Sequence, residues 1–288
     1  MSLISDPLSA GFFTNALIGG VLATWICAIA GTWVVVRGMA FLGEAIAHGM
    51  LPGVALASLA GWSPLLGAGL SALVMAAGIG WLGRRTRISQ DTSIGIAFVI
   101  MLSLGVIIVS RSKSFATDLT AILFGDVLAM TSGEIRVLAV ALALTVALAA
   151  VLARPLQALA LDEALARTLG MRPRLASFAL TLMVTLAVVA SYRAVGSLLV
   201  VALLVAPPAT ASLWSRSIVE TTIWAGIIGS ASVVLGMYLS WYAATAAGAS
   251  IATVAGAIFL ICAPTVPAVR AMRHSHSPTP TPSAPIGA

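Results

Sequence analysis

Nine apolar runs, each near the length that crosses a bilayer, decide what this chain can fold into. They lie near residues 14–36, 40–60, 64–82, 92–110, 135–153, 174–191, 195–213, 218–241 and 248–268. A spanning helix needs roughly 20 apolar residues in succession and satisfies its own backbone polar groups. The sequence therefore predicts an all-α polytopic membrane protein with about 8–9 transmembrane helices. With 60% of residues apolar and 8% charged, the chain carries more apolar surface than a soluble domain of 288 residues needs. The first basic residue is Arg37, so the first run lacks the basic flank of a cleavable signal and reads as a retained helix. The formal net charge of +6 does not point to nucleic acid, because the arginines punctuate apolar runs and form no continuous basic face. Cys27 and Cys262 stand far apart in apolar runs, without disulfide or zinc-ligand spacing.

The same arginines set the expected orientation. An N-terminus outside puts Arg37, Arg84, Arg85, Arg87, Arg154, Arg167, Arg172, Arg174, Arg216, Arg270 and Arg273 on the cytoplasmic side, and only Arg111, Lys113, Arg136 and Arg193 outside. This is the pattern of a multi-pass membrane protein with an extracytoplasmic N-terminus. Gly61-Trp-Ser-Pro64 reads as a tight turn. Residues 111–134 form a more polar connection with a short apolar insert, Ile122–Met130, too short to span and read as one re-entrant or interfacial segment. The Pro-, Ser- and Thr-rich stretch 270–288 reads as a disordered tail beyond a transmembrane domain over 1–269.

The second run holds the chemistry. Within Phe41-Leu-Gly-Glu44-Ala-Ile-Ala-His48-Gly-Met-Leu51-Pro52-Gly53 stand the glutamate and the histidine that fall well inside a membrane-length segment. An ionised side chain at bilayer depth costs about 2.5–3.5 kcal/mol on insertion scales, so such residues face a partner or a polar cavity. Four residues apart, Glu44 and His48 share one helical face. A carboxylate oxygen with an imidazole nitrogen suits first-row divalent metals. Pro52 has no amide to offer the His48 carbonyl, so the same face carries a freed carbonyl before the Pro52-Gly53 break. These donors together imply passage of a metal ion. The plainer alternative is an intrahelical Glu–His hydrogen bond with a packing role.

A cytoplasmic loop between the fifth and sixth runs reads Leu161-Asp162-Glu163-Ala164-Leu-Ala166-Arg167-Thr-Leu-Gly170. Asp162 can cap a short helix with Glu163 in its first turn, and Gly170 can end it before Pro173. Such a helix either joins two spans or seats in a groove of a cytoplasmic ATPase, as a coupling helix; spacing alone does not choose.

Four stretches carry a family resemblance. They are Arg37-Gly-Met-Ala-Phe41 through Gly53, Leu123-Phe-Gly-Asp126, Asp162 through Gly170, and Tyr192-Arg-Ala-Val-Gly196 through Pro207-Pro208-Ala-Thr-Ala211. In this order they resemble permeases of the ABC-3 family, the membrane subunits of bacterial zinc, manganese and iron importers. The resemblance implies that Glu44 and His48 line the metal path. It also implies that Asp162, Glu163, Ala164, Ala166, Arg167 and Gly170 contact a partner ABC ATPase. The chain departs from the family pattern in having Glu44 where Asp is usual, a carboxylate arm one methylene longer. It also has Thr245-Ala-Ala-Gly248-Ala-Ser250 where an acidic residue and a Pro-x-Gly turn usually open the last segment.

Other features have plain readings. Pro207 and Pro208 mark a kink in the seventh run, although a break near the midplane can also line a pathway. Asp126 reads as a solvated turn residue, and His274 and His276 as incidental to the tail. Ala225-x-x-x-Gly229 and Ser232-x-x-x-Gly236 permit close helix packing, as such spacings often do by chance in a chain rich in Ala and Gly. No His-Glu-x-x-His protease motif and no Gly-x-x-x-x-Gly-Lys-[Ser/Thr] loop is present, so neither intramembrane zinc proteolysis nor self-powered transport is expected.

These features predict a transport subunit rather than an enzyme, working by alternating access as a homodimer in the lipid bilayer. Its expected partners are an ATPase and an extracytoplasmic metal-binding protein, with no permanently bound cofactor. The alternative is an ion-driven secondary metal transporter, which the scarcity of further buried acids disfavours. For the cargo, the Irving–Williams order puts zinc ahead of manganese at a nitrogen-bearing site, with iron also open. A bulky β-branched residue at Gly170 disfavours the left-handed conformation expected after the 162–169 helix. Gly170→Val should therefore lose ATPase co-purification while the permease stays in the membrane; undiminished co-purification would remove this loop from the contact.

Overall fold

The computed structural model describes residues 11–85, 89–110, 127–161 and 173–264. Its helices, in chain order, are α1 Gly11–Val36, α2 Phe41–Gly49, α3 Leu51–Leu59, α4 Pro64–Arg85, α5 Gln90–Ser110, α6 Ser132–Leu161, α7 Pro173–Val195, α8 Ser197–Ser212, α9 Ile218–Ala243 and α10 Ala247–Cys262. Each apolar run forms helix, and no strand occurs among the described residues. The second run is split at Met50 into α2 and α3, which together cover one span. Counted so, seven spans among the described residues are long and apolar enough to cross a membrane, while α8 and α10, at 16 residues each, are shorter. Sixteen residues rise about 24 Å, less than the roughly 30 Å of hydrocarbon.

Helix α1 is the axis of the bundle. Apolar on all sides, it is enclosed by α6, α7, α8 and α9. The helices α2 to α5 form a second group, tied to the first through contacts of α7 with α2 and α4. The small-residue spacings of α9 are both used. Gly229 faces the Thr24 methyl of α1 and Pro207 of α8, and Gly236 lies against Ile251 of α10. Exposed aromatic side chains mark two levels suited to membrane interfaces: Phe12, Trp62, Trp241 and Tyr242 at one end, Trp81 and Trp224 toward the other. Neither cysteine forms a disulfide among the described residues; Cys27 is buried in α1 and Cys262 stands at the end of α10.

Of the expected insert Ile122–Met130, the described residues begin at Val127. Val127–Ala129 forms a 3₁₀ turn packed on α1 and α10, and Met130 packs against Gly19. Gly19 lies eight residues into α1, about 12 Å along its axis, so this turn reaches into the bundle. Residues 122–126 lie outside the described residues, as do the 162–170 segment and the 270–288 tail.

Two helix ends have the same cause. At the end of α1 the Gly38 amide bonds Val35 O at 3.0 Å and the Met39 amide bonds Val34 O at 2.9 Å, with Gly38 at φ 66°. At the end of α3 the Gly61 and Trp62 amides bond Ser58 O and Ala57 O, with Gly61 at φ 71°. Both are Schellman closures, which require the left-handed conformation that glycine adopts without a Cβ penalty. The second closure turns α3 back along α4. There Gly53 and Gly67 face each other so closely that a Cβ on either would strike the carbonyl oxygen of the other.

That crossing fixes α3 and, through it, the short helix α2. Gly67→Val should push α3 from α4 and destabilise the protein by about 1–3 kcal/mol, the usual cost of overpacking. Gly78→Val, on the same helix but with nothing within 4 Å of its Cβ position, is the control and should leave the unfolding temperature unchanged. Thermal unfolding in detergent checks both; equal effects would show that the crossing holds nothing in place.

Candidate functional site

Helix α2 is nine residues long and carries both ionisable groups of the second run. The turn at Gly38 delivers the chain into it, and the Leu42 amide bonds Met39 O at 2.9 Å to start it. One turn separates Glu44 from His48, whose Nε2 donates to Glu44 Oε1 at 2.8 Å. A carboxylate only accepts, so this bond requires hydrogen on Nε2. The side chains are 30% exposed for Glu44 and 19% for His48, so the pair sits at an opening in the chain's surface rather than in a sealed core. Helix α5 supplies one wall. The Phe98 ring meets the His48 ring edge-on at 5.9 Å and the Phe41 ring edge-on at 5.2 Å.

The far end of α2 is a break at which a side chain of α4 takes one of the backbone carbonyls. Met50 N–H bonds Ile46 O at 3.2 Å, and Pro52, second in α3, offers no amide to the turn before it. The Gly49 carbonyl is taken by the Ser71 hydroxyl of α4 at 2.7 Å. On the opposite side Gly105 of α5 allows Leu51 and Pro52 to approach; a Cβ there would lie 3.0 Å from the Leu51 Cβ. Gly53 completes the break through its crossing with Gly67.

Pro207 and Pro208 lie in α8, which remains helical from Ser197 to Ser212. Each proline withholds an amide from the residue four before it, Leu203 and Leu204. The Leu204 carbonyl faces Gly31 of α1, and the Leu204 side chain fills the space beside Gly43 of α2. The proline pair therefore reaches the site by packing: Leu204 wedges between α1 and the residue next to Glu44.

At the start of this region Arg37 follows the end of α1. Its guanidinium donates through Nη1 to Ser177 Oγ of α7 at 3.1 Å, and through Nη2 to Gln90 Oε1 of α5 at 3.5 Å, the limit of a hydrogen bond. The divergent 245–250 stretch closes on hydroxyls. Ser240 Oγ donates to Thr245 O at 2.5 Å, Thr245 Oγ1 and Ser250 Oγ share a hydrogen bond at 2.7 Å, and Ala244 takes the left-handed cap. This turn opens α10, which packs chiefly on α8 and α9.

The structure thus brings Glu44, His48, Pro52 and Gly53 together, and couples Pro207 and Pro208 to them through Leu204. Asp126, Asp162, Glu163, Ala164, Ala166, Arg167 and Gly170, with His274 and His276, lie outside the described residues. Among the described residues no group of three or more His, Cys, Asp or Glu side chains converges, so this part of the chain offers a metal two side-chain ligands at this point. Ser71 and Phe98 were not legible as site residues. A serine inside an apolar helix and a phenylalanine among aliphatics are weak signals, and their roles arise only from neighbours distant in sequence.

A family model described as the ABC 3 transport family matches residues 9–265 of this chain. A protein of Listeria innocua named manganese transport system membrane protein MntC is 34% identical over 261 residues, 91% of this chain and 93% of that one. A probable iron transport system membrane protein of Haemophilus influenzae is 33% identical over 257 residues, 89% of this chain and 94% of that one. Among solved structures, PsaBC from Streptococcus pneumoniae in complex with Fab superposes with a TM-score of 0.82 at 32% identity, over 96% of this chain and 99% of that chain.

Proposed function

Because the chain belongs to the ABC 3 transport family, we propose that it is the membrane permease of an ATP-binding-cassette importer for a divalent first-row metal, with Glu44 and His48 as ligands on the path. The observation that carries this reading is the Glu44–His48 pair itself: two metal-competent donors 2.8 Å apart on one face of a short helix within an apolar span. Ionisable groups within a span mark ion pathways. The two groups satisfy one another when no cargo is bound; an arriving ion takes their place as partner once the Nε2 proton has moved to Nδ1 or passed to water. A site with a ready internal substitute binds its cargo loosely enough to release it.

Two side-chain ligands leave a divalent ion under-coordinated. A second copy of the chain, related by a two-fold axis, doubles the set to as many as four. The partial exposure of the pair supports this arrangement, since a ligand sealed in its own core could not share an ion with a neighbour. The N-terminus lies outside, a metal-binding protein delivers the ion there, and the 162–170 helix meets a cytoplasmic ATPase that powers reorientation of α2. The permease itself hydrolyses no ATP and keeps no cofactor. The relatives named for manganese and iron favour manganese over the zinc expected from ligand chemistry alone.

Uptake of radiolabelled manganese into membrane vesicles containing the whole importer should require ATP and survive a protonophore. Glu44→Gln and His48→Ala should each lower it by about tenfold or more, the effect of losing one of few ligands, with the permease still present in the membrane. Uptake that collapses with the protonophore and persists without ATP would make this a secondary transporter. Normal uptake by both variants would remove the pair from the path.

A further inference from the structure

Helices α6 and α7 are consecutive spans that pack on each other, and each carries a charge-free stretch between two arginines. In α6 it is Val137–Ala153, 17 residues between Arg136 and Arg154; in α7 it is Leu175–Tyr192, 18 residues between Arg174 and Arg193. At 1.5 Å per residue these run about 26 and 27 Å, close to the thickness of the hydrocarbon, so Arg154 and Arg174 stand at the same membrane surface. On the orientation proposed above that surface is the cytoplasmic one. From this level inward, an open groove of about 500 Å³ runs between the two helices. Every side chain that lines it is apolar, among them Leu152 and Pro155 of α6 and Leu175, Phe178, Ala179 and Leu182 of α7. The groove is backed by a third helix, because the Phe178 ring lies 3.5 Å from where a Cβ on Gly80 of α4 would stand. Arg154 and Arg174 are both exposed, and among the described residues neither guanidinium has an ion-pair or hydrogen-bond partner.

We propose that this groove is a binding site for an anionic phospholipid, with one acyl chain along Leu152, Phe178, Ala179 and Leu182 and the phosphate held between Arg154 and Arg174. Arg174 stands one turn before Phe178 on the same helical face, so a cation at the surface gives way to an apolar slot below it, as headgroup gives way to chain in a lipid. A guanidinium offers paired N–H donors that match phosphate oxygens. Basic pockets between membrane helices on the cytoplasmic side hold anionic headgroups. The groove opens within the hydrocarbon, where a soluble partner does not reach. A second copy seated on this face would bring four like charges together across its two-fold axis. Within the described residues neither helix carries a carboxylate at this end to offset them. Bound there, the lipid braces the first turns of α7 against α6. The site is independent of the import reading, since it needs only that α6 and α7 span the membrane.

The test uses the full-length permease in phosphatidylcholine bilayers doped with one of two probes, phosphatidylglycerol or phosphatidylcholine, each with a photoactivatable diazirine in its acyl chain. Mass spectrometry reads which residues are crosslinked and how much. The phosphatidylglycerol probe should label Leu175, Ala179 and Leu182 several-fold more than the phosphatidylcholine probe does, and unlabelled phosphatidylglycerol should compete it away. Val140 and Leu144, exposed on α6 toward the other surface, are the reference and should take both probes equally. One arginine near an anionic surface is worth about fivefold in binding. Arg154→Gln and Arg174→Gln should therefore each lower groove labelling by the phosphatidylglycerol probe about fivefold, and leave the phosphatidylcholine signal unchanged. Ala179→Trp fills the groove and should remove the crosslinks at Leu175 and Leu182. An unchanged unfolding temperature, measured without phosphatidylglycerol, separates these effects from misfolding. Equal groove labelling by the two probes, or phosphatidylglycerol labelling that survives both arginine substitutions, means ordinary annular lipid and overturns the site. A groove that takes neither probe while Val140 is labelled is covered by protein, a second copy among the candidates, and overturns it too.

Discussion

A carboxylate and an imidazole at bilayer depth must be answered by something within hydrogen-bonding reach, and in this chain they answer each other. The 2.8 Å bond from His48 to Glu44 needs one helical turn and nothing more. It therefore leaves the outward side of both groups uncommitted. A pair so placed can be held within a span at tolerable cost and still exchange its hydrogen for a cation. On the proposed reading the turn that carries them has to be rigid enough to hold the pair and free enough to move it.

Those two demands are met by making the helix short and breaking it at both ends. Gly38 stops α1 and starts a new direction before α2, while Pro52 interrupts the backbone ladder after it. An interruption inside a membrane would strand polar groups, and Ser71 takes up the Gly49 carbonyl. Glycines at 43, 53, 67 and 105 bring the neighbouring helices close enough to brace the break. Leu204, presented by the helix with the paired prolines, fills the remaining side next to Glu44. The Glu44–His48 pair and the packing glycines thus belong to one device.

Much of this was legible in the residues, for physical reasons. Apolar run length alone sets where helices fall, because a bilayer admits few other solutions, and every expected run is a helix here. The Glu–His face and the Pro52 break were legible because both depend on spacing along one helix. The paired prolines lie inside a helix that runs without a gap, with Gly31 of α1 giving room to the freed Leu204 carbonyl. The roles of Ser71, Phe98 and Arg37 were beyond reach of sequence, since each is defined by a partner more than 20 residues away. Arg37 was visible only as one positive charge in a topological pattern. The preference between zinc and manganese was likewise not written in a two-ligand set; it drew on the relatives.

Direct ligation of the passing metal by His48 and Glu44 is open to one decisive measurement. Pulsed electron paramagnetic resonance of manganese bound to the purified permease provides it, because coupling to an imidazole nitrogen is seen only when that nitrogen is a ligand. Ligation by this pair predicts an imidazole coupling in the wild-type protein that disappears in His48→Ala, while Glu44→Gln weakens manganese binding. A bound manganese with the same nitrogen coupling in His48→Ala, or with none in the wild type, would contradict it.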